Sequence, residues 1–411
     1  MNVSSAKVND KKSTGPLSGL RILDLSRILA GPTCTQLLGD YGADIIKVEK
    51  PGLGDDTRAW GPPYAKDENN KDMAESAYYL SSNRNKRSIT LDISTKDGLK
   101  RLKSVLDHCD VLIENFKVGS LAKYGLDYET LSYEFPELIY CSITGFGQTG
   151  PNAHRPGYDL LAQAFGGIMS ITGTPQGEPM KVGVGIADVV CGLYSCTAIL
   201  AALQHRNLTR EGQHIDISLI DTQIAWLINA GTNYLISGQE PNRLGNQHPN
   251  IVPYQVFEVT DGHVIIAVGN DDQFIRFCQI IGRTDISKNE KYNTNRKRVD
   301  NREALIPILS SEIKKFSKNS LVEKMDEHKI PGGSINNLAE VFGSSQVKAR
   351  NMKITMEDKR FKNGAIDLIG NPVKFSKTPV TYRFTPPTCG EHNNEIAHEI
   401  NTAVKNKSAK E

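Results

Sequence analysis

The sequence predicts an α/β protein that combines a large, Rossmann-like domain, built on an open parallel sheet, with a smaller α/β domain. Two observations carry this prediction. In the N-terminal half, short runs of apolar and β-branched residues alternate with amphipathic stretches of helical period, which is the pattern of βαβ units. After Gly238, a series of prolines and glycines ends this alternation, and a shorter set of strand and helix patterns follows.

Individual elements follow from the local pattern. Pro32 fits the first position of a helix, and Thr95 fits an N-cap before an amphipathic run. The predicted strands cover residues 20–25, 44–48, 88–93, 110–113, 138–143, 263–268 and 330–336, with short extended pieces over 365–385. The predicted helices cover residues 32–41, 95–107, 158–170, 188–205, 216–236 and 302–316, with one more from Asp271 and a solvated segment over 284–302.

The change in the predicted strand and helix pattern after Gly238 also predicts the domains of the chain. A chain of 411 residues has room for two or three domains of roughly 100–200 residues each. We expect a flexible N-terminus over 1–15, a large α/β domain over 16–225, a linker over 226–244, a small domain over 245–325, a C-terminal return to the large domain over 326–400 and a tail over 401–411.

Composition argues against several classes of function. Lys and Arg number 49 against 47 Asp and Glu, a formal net charge of only +2, which disfavours a nucleic-acid binder or a polybasic membrane binder. The most apolar stretch, 189–203, is shorter than the roughly 18 residues of a membrane span and contains Ser195 and Thr197, which indicates a buried core helix. The seven cysteines form no C-x-x-C pair, so we expect reduced thiols and no metal site.

Asp188 is the first candidate for chemistry. It lies in a glycine-flanked segment, 183–192, at the start of the most apolar predicted helix. An Asp there is most simply an N-cap. The helix dipole is also expected to hold such a carboxylate ionised, and in a dry pocket it is a competent nucleophile toward an activated carbonyl. Asp159, after Tyr158, begins another predicted helix and is either a cap or a second carboxylate acting with the first.

Basic residues cluster near the predicted strand ends. They are either solvated surface charges or phosphate ligands, because ligands of open α/β sheets bind beyond the carboxyl ends of the strands. Phe116 follows a predicted strand and is placed to stack on an adenine ring. The basic set is Lys50, Arg58, Arg84, Lys86, Arg87 and Lys123.

Two further motifs carry weaker signals. Residues 145–150 match G-x-G-x-x-G, but Pro151 and Pro156 predict an extended loop where a dinucleotide site needs a helix, so a nicotinamide or flavin site is not expected. Residues 243–249 predict a structured loop around Gly245, in which His248 is either a base or a structural hydrogen-bonding residue.

Several segments, in this order along the chain, resemble the class III CoA-transferase family, which includes formyl-CoA transferase, carnitine CoA-transferase and α-methylacyl-CoA racemase. Each segment alone is weakly specific, but the ordered series is highly specific. The likeness covers about residues 16–390 and rests on 16–25, 30–32, 42–52, 54–58, 83–88, 114–116, 145–151, 157–159 and 187–188.

This resemblance implies a catalytic set and a CoA-binding set. Asp188 corresponds to the nucleophile that forms an acyl anhydride and then an aspartyl-CoA thioester, and Asp159 is a second catalytic residue or a helix cap. The segment around Gly245 and His248 corresponds to a mobile loop over the site. No cofactor is implied, because CoA thioesters are substrates. The CoA contacts implied by position are Arg27, Ile28, Leu29, Ala30, Lys50, Lys86, Asn115, Phe116, Lys123 and Leu219.

Two departures from the patterns of family members refine the expected function. Leu29 stands where formyl-CoA transferase has a glutamine, which argues against oxalate-like chemistry. Tyr158 stands where the racemase has a histidine, and a phenol with a pKa near ~10 is a poor base at neutral pH. CoA transfer is therefore favoured, and epimerisation of an acyl-CoA is the alternative. The chain looks most like the members that move CoA from succinyl-CoA to glutarate, through residues 140–145, 251–257 and 335–337; another acyl-CoA:carboxylate specificity stays open.

The remaining expectations concern the acceptor, the assembly and the compartment. A dicarboxylate acceptor needs a cation for its far carboxylate. Arg84 is the candidate, together with Tyr158, and a structural ion pair is the alternative reading of Arg84. The resemblance implies an interlocked homodimer, and the balanced charge predicts no nucleic-acid or membrane partner. The resemblance also implies a mitochondrial location, although the N-terminus carries no clear targeting signal and a cytoplasmic location stays open.

Overall fold

The computed structural model describes residues 14–408, so most of the predicted flexible N-terminus, 1–15, and the end of the predicted tail lie outside the described residues. The chain forms two compact units. The first contains the chain up to Ile168, the segment Lys181–Ile236 and the chain from Gln346 onward. The second contains Met169–Met180 and Ser237–Ser345.

Strands and helices are numbered in chain order. The strands are β1 (Arg21–Asp24), β2 (Asp44–Glu49), β3 (Tyr64–Lys66), β4 (Asp72–Ser76), β5 (Lys86–Thr90), β6 (Val111–Glu114), β7 (Ile139–Thr144), β8 (Gln213–Ser218), β9 (Tyr254–Val259), β10 (Gly262–Ala267), β11 (Gly332–Ser334), β12 (Lys353–Glu357) and β13 (Ala365–Ile369). The helices are α1 (Ala30–Asp40), α2 (Ala77–Ser81), α3 (Lys96–Leu106), α4 (Tyr128–Glu134), α5 (Asp159–Phe165), α6 (Ile168–Ile171), α7 (Ile186–Thr209), α8 (Leu219–Ala225), α9 (Ile228–Ser237), α10 (Asp271–Ile280), α11 (Thr284–Lys288), α12 (Asn295–Asp300), α13 (Arg302–Ile313), α14 (Lys318–Glu327), α15 (Leu338–Gly343), α16 (Ser345–Ala349) and α17 (Asn393–Ser408).

A six-stranded sheet forms the centre of the first unit, and its strands are all parallel in the order β5-β2-β1-β6-β7-β8. This confirms the predicted α/β class. β1 lies between β2 and β6, so the strand order runs in opposite directions on its two sides. A crevice is therefore expected at the carboxyl ends of β1 and β6.

Helices cover both faces of this sheet, which is why its inner strands are nearly continuous apolar runs. On one face, α1 and α7 contribute Leu38 and Ile199 to the core. On the other face, α3, α4 and α17 contribute Leu102, Leu131 and Ile396. The sheet is thus a rigid platform, and the loops at its carboxyl ends are free to form a site.

Helix α7 forms part of this core. Within the described part of the chain, it is the one helix whose length and composition would suit a membrane span. In the structure, 56% of its most apolar window is buried, with Cys191, Ile199 and Leu203 packed against the sheet. This placement agrees with the predicted core helix over 188–205.

Two predictions for the first unit are wrong. The predicted helix over 216–236 begins in the edge strand β8, whose alternating polar residues hide the strand pattern. It then continues as two helices, α8 and α9, which are separated just before Ile228, a residue with a φ of 38°. The predicted tail, 401–411, is largely covered by α17. This helix is held by Ile396 and Ile400 in the core and by Glu395 and Glu399, which pair with Arg87.

The second unit has its own sheet and core. Strands β9, β10 and β11 form an antiparallel sheet, and Phe257, Val264, Phe274 and Leu309 share one buried cluster. The predicted strand 263–268 corresponds to β10, and β11 lies within the predicted strand 330–336. The predicted solvated segment 284–302 is mostly exposed, as expected, and contains α11 and α12. Arg298 is an exception, because it is completely buried.

Candidate active site

A cavity of about 350 Å³ opens where the strand order reverses, at the carboxyl ends of β1, β6 and β7. Its walls come from the loops after these strands and from the first turns of α7 and α8. Tyr158 and Asp188 both line it. Seven of the ten residues expected to contact CoA line the same cavity: Arg27, Ile28, Leu29, Ala30, Asn115, Phe116 and Leu219.

The β1–α1 loop forms one wall and holds a strained residue. Ile28 has a φ of 73°, a left-handed value that is rare for a β-branched side chain. Its N–H lies 3.3 Å from both carboxylate oxygens of Asp55, which the buried Lys47 ammonium contacts at 2.8 Å. Burial opposes the ionisation of Asp55, but the Lys47 charge and the hydrogen bonds from Lys47 and Thr57 together outweigh it and lower the pKa of Asp55 to about 2. A permanently ionised carboxylate therefore supports the strained turn.

Asn115 ties the wall that follows β6 to the β1–α1 wall. Its Oδ1 accepts the Arg27 N–H at 3.0 Å, and its Nδ2 donates to the Arg27 carbonyl at 2.8 Å. The Arg27 guanidinium lies 5.8 Å from the centre of the Phe116 ring and pairs with Asp56 at 2.9 Å. Because the backbone of Arg27 uses both polar ends of the amide, we expect Asn115 to shape the cavity and Phe116 to offer an apolar surface.

Two glycines close the third wall. The loop 145–157 folds back so that a Cβ on Gly145 would lie 2.5 Å from the Gly157 Cα, and a Cβ on Gly157 would lie 2.2 Å from the Gly145 Cα. A side chain at either position would push the two backbone segments apart. The G-x-G-x-x-G match therefore begins a pinned, non-helical loop, as predicted, and no helix starts there to bind a pyrophosphate.

Asp188 lies in the first turn of α7 and is only 8% exposed. Burial, with a smaller contribution from the negative charge of Asp159, raises the pKa of Asp188 to about 7. The prediction that the helix dipole holds this carboxylate ionised is therefore wrong, because the loss of hydration and a like charge dominate. At neutral pH the Asp188 carboxyl is near the midpoint of its titration.

Asp159 caps the helix that carries Asp188. The N-cap residue of α7 is Gly185, which has no side chain for this purpose. Asp159 Oδ1 instead accepts hydrogen bonds from the N–H groups of Ala187, at 2.8 Å, and Asp188, at 3.3 Å. Its Oδ2 accepts a hydrogen bond from Gln163 Nε2 at 2.7 Å. The structure thus brings the two candidate carboxylates together, and the cap is supplied from α5.

Tyr78 is a half-buried residue whose titration is influenced by both carboxylates, and no motif in the sequence marked it. Burial, followed by the charges of Asp188 and Asp159, raises the pKa of Tyr78 to about 12, so its phenol stays protonated and able to donate a hydrogen bond. Its ring meets the Trp60 ring edge-on, with centroids 5.4 Å apart. No local sequence pattern marks Tyr78, because its electrostatic interaction with Asp188 exists only in the folded chain.

Two exposed cations, Lys117 and Arg155, also line the cavity although the sequence analysis did not select them. Arg155 lies over the Phe146 ring at 5.0 Å. Arg155 follows turn residues rather than a strand, so the rule of strand ends did not find it. Lys117 lies three residues after β6 and was not selected although that rule applies to it. The two cations supply positive charge at the cavity for a phosphate-bearing ligand.

Three predicted CoA contacts do not line the cavity. Lys50 and Lys123 are exposed side chains elsewhere on the first unit. Lys86 is fully buried, and its ammonium contacts Asp24 at 3.2 Å and Asn83 at 3.0 Å. Burial lowers the pKa of Lys86 to about 8. The structure therefore gives Lys86 a role inside the sheet, where CoA has no access to its ammonium.

Arg84, the candidate for the far carboxylate of the acceptor, is also buried. Its guanidinium donates to both carboxylate oxygens of Asp40, at 2.6 and 3.0 Å, and to the Ile369 carbonyl at 2.9 Å. It also lies over the Tyr382 ring at 5.2 Å. This arrangement is the structural ion pair that the sequence left open, and it argues against a substrate clamp.

We expect Arg84→Ala to lower stability without changing the choice of acceptor. The substitution leaves the buried Asp40 without its cation, and breaking a buried pair in this way typically costs about 3–5 kcal/mol. Thermal melts should show the loss of stability, and the KM values for dicarboxylate and monocarboxylate acceptors should change by the same factor. A selective rise in the dicarboxylate KM with an unchanged Tm would instead establish the clamp.

Gly245 and His248 lie in the second unit. The Gly245 N–H donates to the Gly173 carbonyl at 2.9 Å, and the Gly245 φ is 60°. His248 Nδ1 accepts the Asn250 N–H at 3.0 Å. The loop is therefore structured, as predicted, and His248 makes a local structural hydrogen bond. Its role as a cover for the site stays a prediction.

Comparison with known proteins identifies relatives along nearly the whole chain. A family model described as CoA-transferase family III matches residues 17–393. The chain is 48% identical over 387 residues to the succinate–glutarate CoA-transferase of Agrobacterium fabrum, covering 94% of this chain and 96% of the relative. It is 42% identical over 392 residues to the succinyl-CoA:glutarate CoA-transferase of Homo sapiens, covering 95% and 87%. A crystal structure of a CAIB/BAIF family protein from Brucella suis matches with a TM-score of 0.82 and 46% identity, covering 94% of this chain and 99% of that chain.

Proposed function

The chain belongs to CoA-transferase family III, and we propose that it moves CoA from succinyl-CoA to glutarate or a related dicarboxylate, with Asp188 as a covalent nucleophile. One observation carries this proposal: Asp188 lines the same cavity as seven of the ten residues expected to contact CoA. The donor and the acceptor are those named for the relatives from Agrobacterium fabrum and Homo sapiens.

The proposed reaction exchanges one activated acyl bond for another. The Asp188 carboxylate attacks the succinyl thioester, which forms a mixed anhydride and expels the CoA thiolate. The thiolate then attacks the Asp188 carbonyl, releasing succinate and leaving an aspartyl-CoA thioester. Glutarate attacks this thioester to give a second anhydride and the thiolate, which takes the glutaryl group and frees Asp188. Each intermediate conserves the energy of the thioester, so no external activation is required.

The local environment of Asp188 suits these steps. A buried carboxylate is weakly hydrated, which favours attack on a carbonyl, and limited access of water protects an anhydride from hydrolysis. The cap from Asp159 fixes the backbone of Ala187 and Asp188.

A mass-spectrometric assay separates this function from the alternatives. The protein is incubated with succinyl-CoA and a panel of mono- and dicarboxylic acids, and new thioesters are identified. We expect glutaryl-CoA, or the thioester of a related dicarboxylate, as the main product. Deuterium uptake at the α-carbon of a branched acyl-CoA without exchange of acids would instead indicate epimerisation. Absence of both reactions would contradict the proposed function.

The pKa of Asp188 predicts the pH dependence of transfer. Only the ionised carboxylate attacks, and kcat/KM for succinyl-CoA reports the ionisation of the free enzyme. Because the pKa is raised to about 7, kcat/KM should fall about tenfold per pH unit below that value. Steady-state kinetics across the acidic range check this. A profile that stays flat down to about pH 5 would show that the nucleophile has an ordinary carboxyl pKa.

We also propose that the chain forms a homodimer in which α7, α8 and α9 contribute to the interface. These helices of the first unit leave several large apolar side chains exposed, among them Leu208 at 77%, Leu235 at 81% and Ile236 at 82%. Large apolar side chains exposed on three consecutive helices are a candidate interaction surface. Light scattering on the purified protein should give twice the chain mass; a monomer at micromolar concentration would contradict the proposal.

A further inference from the structure

Glu114 is a buried carboxylate with an unusual set of partners. It ends β6, is 5% exposed, and takes part in none of the ion pairs formed within the described part of the chain. Its hydrogen-bond partners are neutral: the Phe116 N–H, which it accepts at 2.7 Å, and the Ser142 hydroxyl. Buried carboxylates nearby have cations instead, in the pairs Asp24–Lys86, Asp40–Arg84, Asp55–Lys47 and Glu49–Arg58.

Burying a carboxylate without a cation is costly, since hydration is lost and no opposite charge replaces it. The cost is visible in the pKa of Glu114, which burial raises to about 7 while the two hydrogen bonds oppose the rise. A neutral side chain, apolar or amide, could be buried at this position with a smaller desolvation free energy than a carboxylate. This contrast indicates that the carboxylate serves a purpose other than stability.

The geometry shows what the carboxylate holds. Oε2 reaches past Asn115 to the N–H of Phe116, so it fixes the backbone of the two residues that form one cavity wall. Asn115 in turn binds the backbone of Arg27 on the neighbouring wall, which follows β1. Glu114 therefore lies at the base of a chain of hydrogen bonds that sets the spacing between two walls of the cavity.

A second set of contacts holds Glu114 from the other side. Ser142, its neighbour on β7, lies with Oγ 3.0 Å from His214 Nε2 on β8. The His214 ring stacks on Tyr128 with centroids 5.0 Å apart, and burial lowers the pKa of His214, which keeps the imidazole neutral. The network across β6, β7 and β8 thus orients Glu114 without supplying an opposite charge, and its Oε2 is directed to the Phe116 N–H.

We propose that Glu114 is a positioning residue for acyl-CoA, which holds the Asn115–Phe116 wall through the Phe116 N–H in the shape that receives the CoA moiety. The inference rests on the proposed function, because it assumes that CoA binds in this cavity. Glu114 does not act on the reacting atoms. Its loss should weaken binding of CoA and leave the chemistry at Asp188 intact.

The test compares Glu114→Ala with Glu114→Gln at about pH 8, where the native carboxylate is ionised. A hydrogen bond to a charged group contributes more than a neutral one, so Glu114→Ala should raise the KM for succinyl-CoA and the calorimetric Kd for CoA by about tenfold or more. Glu114→Gln keeps an acceptor oxygen and should raise both by only about two- to fivefold. We expect kcat and the acceptor KM to change by less than about twofold in both variants.

Tyr140→Phe is the matched control for a buried polar change in the same region. It removes the hydrogen bond from the Tyr140 hydroxyl to the Leu126 carbonyl. It keeps the ring that meets Tyr128 and His214 edge-on, so the contacts around Glu114 stay in place. It should lower Tm and leave the KM for succinyl-CoA unchanged. If the Glu114 variants behave like Tyr140→Phe, Glu114 is merely structural and the inference is overturned. If Glu114→Ala does not fold, an unchanged KM in Glu114→Gln overturns it equally. Failure of the native protein to bind CoA would instead reject the proposed function itself.

Discussion

Asp188→Asn should abolish CoA transfer. The asparagine keeps the size and the backbone of the native residue, but its amide is not nucleophilic and forms neither the anhydride nor the aspartyl thioester. Because the whole reaction passes through this side chain, we expect kcat to fall by at least about 10⁴-fold, as for the loss of other covalent nucleophiles. Transfer is measured with succinyl-CoA and glutarate by mass spectrometry. An Asp188→Ala variant excludes activity recovered through deamidation, and near-native rates in both variants would contradict the account.

The same substitution should stabilise the fold, which shows that lost activity is not lost structure. The pKa of Asp188 is raised from 3.8 to about 7, so the folded state binds a proton more tightly than the unfolded state. The associated stability is fully present below about pH 4 and is lost as the pH rises through about 7. At alkaline pH the ionised Asp188 carboxylate therefore lowers the free energy of unfolding by up to about 4 kcal/mol. Asp188→Asn should therefore raise Tm near pH 8 and change it little near pH 4; an equal shift at both pH values would contradict the raised pKa.

Replacing Asp159 should have the second-largest effect on transfer. Asp159→Ala removes the acceptor for the N–H groups of Ala187 and Asp188, which loosens the first turn of α7. We expect kcat to fall by about 10- to 100-fold, which corresponds to the roughly 1–3 kcal/mol of a lost cap and a misplaced nucleophile. Removing the negative charge should also move the acid limb of kcat/KM to lower pH, because that charge raises the pKa of Asp188.

Two further variants separate the charge of Asp159 from its role as a cap. Asp159→Asn keeps an acceptor oxygen, so it should shift the acid limb with a smaller loss of kcat. Asp127→Ala is the matched control, since Asp127 caps α4 through the Thr130 N–H and lies apart from the cavity lining. It should lower Tm and leave the pH profile unchanged. An acid limb that stays in place in Asp159→Asn would show that the two carboxylates are not electrostatically coupled.

The sheet could be predicted from the sequence because its inner strands are buried on both faces. Such strands consist mainly of apolar residues, which a local pattern detects. β8 escaped this rule because it is an edge strand with alternating polar residues. The position of the cavity was also predictable, since Arg27 and Asn115 follow strands that end at the reversal of strand order. The segments carrying Asp159 and Asp188 could each be read as helix starts, but their contact across 29 positions depends on the packing of α5 against α7.

Charged residues were the least predictable part of the site. Arg84 and Lys86 stand in a polar run that resembles either solvated surface or a phosphate site, yet Asp40 and Asp24 bind them inside the first unit. Asp40 lies 44 positions from Arg84 and Asp24 lies 62 positions from Lys86, so no local sequence pattern predicts these ion pairs. Tyr78 was missed for the same reason, since its electrostatic interaction with Asp188 exists only in the folded chain.

Trapping the covalent intermediate tests the central claim most directly. The native protein is mixed with succinyl-CoA, quenched in acid within the first turnovers, digested and examined by mass spectrometry. We predict that the peptide containing Asp188 carries a CoA or succinyl adduct, and that adding glutarate before the quench removes the succinyl form and yields glutaryl-CoA. An active enzyme whose Asp188 peptide is never modified, or whose adduct lies on another side chain, would contradict the account.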